Sequence, residues 1–159
     1  MVDNTLSDET IKAIYLSDIT KLREFLISGN IDDTDKDKRT AIFHAVLSGN
    51  PDTVRFFLDN QAALNLKDSA GWSPLHYAVQ NHHTEIAEIL LEHDADIEFK
   101  DDYGNTALWR AVFASKGRAE MIRLLISKGA NPEVKNNSGV SPLKLAETIA
   151  NYDVKQFFK

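Results

Sequence analysis

The sequence predicts an all-α solenoid of about five stacked helix–turn–helix units with protruding finger loops. Three observations predict it. One segment recurs at a fixed interval, each copy carries two apolar stripes of helical spacing, and capping and helix-ending residues bound those stripes. The segment Gly71-Trp72-Ser73-Pro74-Leu75-His76-Tyr77-Ala78 returns 33 residues later as Gly104-Asn105-Thr106-Ala107-Leu108-Trp109-Arg110-Ala111, and stands 33 residues earlier as Lys38-Arg39-Thr40-Ala41-Ile42-Phe43-His44-Ala45. A fourth copy, Gly139-Val140-Ser141-Pro142-Leu143-Lys144-Leu145-Ala146, begins after 35 residues. The extra two residues fall in Ser115-Lys116-Gly117-Arg118, a loop composition.

Within each copy the residues prescribe a helix pair. Ser73 and Thr106 are suited to cap a helix by accepting a bond from a free main-chain N–H. Pro74 and Pro142 then take the first helical position, where a missing N–H costs nothing. Leu75, Ala78 and Val79 follow at helical spacing, and the small alanine lets a neighbouring helix approach. The polar break Asn81-His82-His83 turns the chain, and Ile86, Ile89 and Leu90 form the second stripe. That stripe recurs as Phe56-Phe57-Leu58 and Leu124-Leu125-Ile126, each followed by a polar break and Ala62 or Ala130. Gly29 and Gly129 are expected to end their helices in the left-handed conformation. One such pair cannot bury its own apolar face, so neighbours must stack.

Asp68 through Ala78 reads Asp-Ser-Ala-Gly-Trp-Ser-Pro-Leu-His-Tyr-Ala, and this resembles the ankyrin repeat family. The resemblance runs over essentially the whole chain. It implies one domain, 1–159, with a degenerate cap at about 6–34, full units at 35–67, 68–100 and 101–135, and a truncated cap at 136–159. Departures carry expectations of their own. Lys38 stands in place of the turn glycine, and Gln61 and Asp94 in place of the helix-ending glycine, so each must tolerate left-handed angles at a strain of about 1–3 kcal/mol. The resemblance implies that His76 bonds the main chain between units. Trp109 and Lys144 replace that histidine, so the bonding there must differ. Val154, Phe157 and Phe158 are expected to form the inner face of a closing helix.

Composition narrows the function. No apolar run approaches the roughly 20 residues of a membrane span, and Met1 to Thr10 lacks the pattern of a secretory signal, so the expected compartment is the cytoplasm. The chain has no cysteine, which removes thiolate zinc sites and a cysteine nucleophile. A net charge of −6 repels nucleic acid and favours a protein partner with a basic surface. His82 and His83 share a turn, and His44 and His93 have no histidine at metal-ligand spacing, so no metal site is expected. The run Glu92–Asp102 carries alternate carboxylates but lacks the glycine and closing glutamate of a calcium loop. There is no glycine-rich phosphate loop and no motif around a serine. The reading is a non-enzyme without cofactor.

The resemblance implies that finger tips and first helices line a concave groove that binds other proteins. Carried over residue by residue, it offers Lys36, Asp37, Arg39, Leu47 and Ser48; Ser69, Ala70, Trp72, Gln80 and Asn81; Asp102, Tyr103, Asn105, Phe113 and Ala114; and Asn137, Ser138, Val140, Thr148 and Ile149. The partner-binding set is expected to centre on Arg39, Trp72, Gln80, Asp102, Tyr103, Asn105 and Phe113, because exposed aromatics and arginine dominate binding energy. The expected function is a monomeric, non-catalytic interaction module. It would act as a stoichiometric inhibitor or adaptor, as bacterial toxin-immunity proteins do, with a structural scaffold or fragment of a longer array as the alternative.

Overall fold

A computed structural model describes residues 5–149 and 152–158. Among these, helices alternate along the chain as α1 (Asp8–Tyr15), α2 (Ile19–Ser28), α3 (Ala41–Ser48), α4 (Pro51–Asp59), α5 (Pro74–Gln80), α6 (Thr84–Glu92), α7 (Ala107–Ala114), α8 (Glu120–Ser127) and α9 (Pro142–Thr148). A 3-10 helix, Val154–Phe158, follows. The β-pairing among the described residues is a single isolated bridge between Thr5 and Thr34. The fold is an all-α repeat solenoid.

Consecutive helices pair into units: α1 with α2, α3 with α4, α5 with α6, α7 with α8, and α9 with the 3-10 helix. The first helix of each unit packs on the first helix of the next, and α4, α6 and α8 form a second layer. Between the layers lie Ile14, Leu22, Phe43, Phe57, Ile86, Leu90, Leu108, Ile122 and Leu125, all essentially without solvent exposure. A fully buried side chain of this size contributes about 1.5–3 kcal/mol. Ala45, Ala78 and Ala111 recur one repeat apart, each on a first helix and each buried, and their small side chains permit the close stacking of α3, α5 and α7.

The helix ends follow the sequence closely. Ser73, Thr106 and Ser141 accept from the N–H of His76, Trp109 and Lys144, and Pro74 and Pro142 occupy the first helical positions. Lys38, Gln61 and Asp94 adopt φ of 59°, 65° and 65°; Lys38 is in register with Gly71 at 79°, and Gln61 and Asp94 with Gly129 at 95°. Gly29 departs from expectation. Its φ of −115° is extended, and its role is steric, because a Cβ there would run into the Phe25 ring. Val154 is buried, whereas Phe157 and Phe158 are half-buried against the core, with the Arg123 guanidinium 5.5 Å from the Phe157 ring centre. The closing element is a 3-10 helix rather than an α-helix.

Candidate interaction surface

Each finger is folded by one side chain. Asp35, Asp68, Asp101 and Asn136 occur at the repeat interval, and each uses Oδ1 to accept from the N–H groups two and four residues on. A main-chain bond returns across each turn, as in Asp68 N–H to Trp72 C=O at 2.9 Å. The second oxygen of the three aspartates reaches the first helix of the same unit, nine residues on: Asp35 to His44 Nε2 at 3.0 Å, Asp68 to the Tyr77 hydroxyl at 2.6 Å and Asp101 to Arg110 Nε at 3.0 Å. The fingers are thus fastened to the helices behind them by carboxylates, buried at Asp68 and Asp101 and half-buried at Asp35.

The environment sets the charge of these groups. Burial alone would raise Asp68, but the Tyr77 hydroxyl, the Trp72 N–H and Arg39 outweigh it and hold the carboxyl below its usual range. Asp101 behaves alike: burial raises it, and Arg110 and the Asn105 N–H and side chain more than reverse that. Burial pushes His44 and His76 down, only partly opposed by Asp35 and by the Asn105 carbonyl. His76 Nε2 donates to that carbonyl across the unit boundary at 3.0 Å, while Nδ1 pairs with Ser73. Trp109, which replaces this histidine in the next unit, leaves its indole Nε1 without a partner.

These contacts assemble a continuous ladder over the first helices. The Arg39 guanidinium lies 5.2 Å from the Tyr77 ring centre, the Tyr77 and Trp72 rings are 5.0 Å apart, and the Arg110 guanidinium covers Trp72 at 4.4 Å. Arg110 also neighbours Trp109 at 5.7 Å, and Trp109 stacks on Phe113 at 5.5 Å. The two cations are neutralised, Arg39 by Asp68 and Arg110 by Asp101. What the ladder presents outward is therefore largely aromatic.

The seams between fingers are not equivalent. The Ser69 N–H donates to Asp37 C=O at 2.8 Å, joining the second and third fingers, and the Asn137 N–H donates to Tyr103 C=O at 3.0 Å, joining the fourth and fifth. Between the third and fourth, no main-chain bond links the corresponding Ala70 and Asp102. At this open seam lies a groove of about 570 Å³ lined by Ser69, Ala70, Trp72, Tyr77, Asp102, Tyr103 and Arg110. Its outer corner is Tyr103, 68% exposed, beside Asp102, whose carboxylate reaches Lys67 at 2.9 Å.

The structure distributes the sequence-selected residues in three ways. Trp72, Asp102 and Tyr103 come together at the groove. Phe113 is 60% exposed on α7, at the end of the ladder, and Gln80 sits at the end of α5 with its carbonyl oxygen buried and unbonded. Arg39 lies one unit away, turned onto Asp68 and Tyr77. Asn105 must be corrected: it is buried, donating to Asp101 Oδ2 and accepting from Asn136 Nδ2, and so has no surface to offer a partner. Trp72 is only half-exposed, since Arg110 covers one face. Tyr77 and Arg110, which complete the groove, were not selected. Their signal was their place nine residues after the finger aspartate.

The sequence model of the family described as Ankyrin repeats (3 copies) matches residues 11–101 and 71–136. The chain belongs to the ankyrin repeat family. It is 30% identical over 121 residues to human SH3 and multiple ankyrin repeat domains protein 2, a span of 76% of this chain and 6% of that protein. A putative ankyrin repeat protein of Rickettsia felis is 33% identical over 140 residues, covering 86% of this chain and 45% of the relative. A putative ankyrin repeat-containing protein of Treponema pallidum is 36% identical over 102 residues, covering 64% and 34%. The chain thus spans less than half the length of each of these relatives. Ankyrin repeats are protein–protein interaction modules, and this chain is one; the family is typically non-catalytic. No helix among the described residues is long and apolar enough to cross a membrane.

Proposed function

We propose that this ankyrin module, one domain over 1–159, binds its protein partner at the open seam between the third and fourth fingers. The observation that carries the reading is the missing main-chain link between Ala70 and Asp102 at the place where Trp72, Tyr77 and Tyr103 line a groove. The free carbonyl and N–H offer a partner's main chain one acceptor and one donor, and the aromatic walls take an apolar side chain. Tyr103 and Phe113 are the exposed anchors, Trp72 the wall, and Asp102 the rim charge that steers a basic surface into place. Arg39 touches the groove wall through the Tyr77 hydroxyl, and Gln80, at the last position of α5, extends the proposed contact set. An aromatic side chain exposed on a rigid finger loses little conformational freedom on binding, which favours it as an anchor.

A module of this kind acts by occupancy. The reading is of a cytoplasmic, monomeric, stoichiometric inhibitor or adaptor, of which a toxin-immunity protein is one form. A scaffold role within a longer array is the second reading, favoured by the greater length of the relatives. The test is affinity purification of the partner from the native host, followed by titration. Tyr103→Ala is expected to weaken the complex at least about tenfold, and a one-to-one loss of the partner's activity selects inhibition over scaffolding. Undiminished binding by Tyr103→Ala and Phe113→Ala together rejects the groove.

A further inference from the structure

Ser69, Asp102 and Asn137 hold the same place on the third, fourth and fifth fingers. The main-chain N–H groups of Ser69 and Asn137 each join the finger before, and that of Asp102 does not. Asp102 is also the charged member of the three. Its carboxylate lies against the third finger, because a Cβ at Gly71 would run into it. Among the described residues its ion-pair partner is Lys67, at 2.9 Å, and the two side chains are 60% and 40% exposed. An exposed pair of this kind is easily exchanged for another cation. The seam without a main-chain bond therefore carries a carboxylate that an incoming cation can claim.

The chain's own arginines show which cation suits these rings. Arg39 sets its guanidinium 5.2 Å from the Tyr77 ring centre and donates from Nε to Asp68 at 3.0 Å. One unit on, Arg110 sets its guanidinium 4.4 Å from the centre of Trp72 and donates from Nε to Asp101 at 3.0 Å. In both places an aromatic ring and a carboxylate receive one guanidinium between them. The groove offers the same two elements at its outer corner, where the exposed Tyr103 stands beside Asp102. Arg110 also lines the groove, but its charge is already neutralised by Asp101. No arginine of the chain pairs with Asp102 among the described residues.

We propose that the side chain received at the open seam is an arginine, carried on an extended segment of the partner; this rests on the reading of the seam as the docking site. The guanidinium enters between Tyr103 and the Trp72–Tyr77 pair, whose ring centres are 5.0 Å apart. Its methylene stem supplies the apolar contact with the aromatic walls. Asp102 draws it in and exchanges Lys67 for it. A lysine fits less well, because an ammonium is more strongly hydrated and has no planar face to lay on a ring. A purely apolar side chain forgoes the attraction between cation and ring.

The test is an amide-resolved NMR titration of the full chain with the heptapeptide Gly-Ser-Gly-Arg-Gly-Ser-Gly and three twins that carry lysine, citrulline or norleucine at the centre. Saturable shifts are expected at the amides of Ala70, Asp102 and Tyr103 and at the Trp72 indole N–H. The arginine peptide should bind at least about threefold more tightly than each twin. The preference should persist at high salt, where the pull of Asp102 is screened and the rings alone select. Tyr103→Leu keeps an apolar side chain at an exposed position and removes the ring. It should bring the arginine and norleucine peptides to nearly equal affinity. Equal binding of any twin to the wild-type chain, a preference unchanged in Tyr103→Leu, or no saturable shift with the arginine peptide up to about 20 mM overturns the arginine seat. The seam itself stands or falls on titration of the native partner against Tyr103→Ala and Phe113→Ala, so the two readings fail separately.

Discussion

The Arg110 guanidinium lies 4.4 Å from the centre of the Trp72 ring, across the boundary between units three and four, while Arg110 Nε holds Asp101 at 3.0 Å. Trp72 is therefore part of the joint between two units as well as the wall of the groove. Trp72→Ala should lower stability by about 2 kcal/mol, through lost contacts with Tyr77 and Arg110, as well as weaken binding. Tyr103→Ala should leave the thermal midpoint nearly unchanged. Parallel melting curves check this.

Lys38, Gln61 and Asp94 carry φ values of 59°, 65° and 65°. Replacement of any one by glycine relieves the left-handed strain but frees the unfolded chain. The expected outcome is stability unchanged or raised by up to about 1 kcal/mol, read from urea midpoints. Gly129→Ala, at φ 95° with open space around it, should instead destabilise, because the cost there is conformational and not steric.

Acid should weaken the fold in two stages. His76 and His44 have folded pKa values below their ordinary ones, chiefly through burial, so the unfolded chain binds protons first. Their contribution is complete above about pH 6.5 and is lost as pH falls from there toward the folded values. Asp68 and Asp101 are also lowered, by bonds that outweigh burial, so their contribution is present above about pH 4 and is lost as pH falls through the folded pKa. Denaturation midpoints taken from pH 8 to pH 3 should fall over both windows. In Asp101→Asn the overall stability should drop and the lower window should flatten.

The fold was legible in the sequence because repetition multiplies a weak signal. One capped, alanine-bearing stripe is ambiguous, but Ser73, Thr106 and Ser141 at equivalent places are not. Asp35, Asp68 and Asp101 recur at the same interval, but their part in folding the fingers shows only in the structure. The groove was legible only in part. Trp72, Asp102 and Tyr103 stand out as large or charged residues at variable places, but Tyr77 and Arg110 look like ordinary helix residues until the second oxygen of each aspartate is traced to them. Asn105 was misread because residue type does not report which way a side chain turns, and its amide is taken up by Asp101 and Asn136. Gly29 was misread because the chain leaves α2 extended, with the Phe25 ring occupying the space beside it.

Asp102 should act on rate more than on affinity. Its pairing with Lys67 is exposed, and such a pair contributes at most about 1 kcal/mol, so a partner's cation can displace the lysine. Asp102→Lys is expected to slow association at low salt, with the difference shrinking at high salt while dissociation changes little. Stopped-flow or surface-based kinetics at two ionic strengths measure it.

The central claim is that the partner docks at the open seam of the third and fourth fingers. The most direct measurement places a photoreactive side chain at Tyr103 and, in a separate variant, at Glu88 on α6, then irradiates each with the partner bound. Docking at the seam predicts crosslinking to the partner from position 103 and none from position 88. Crosslinking from position 88 with none from position 103 would contradict it and move the interface to the second-helix layer.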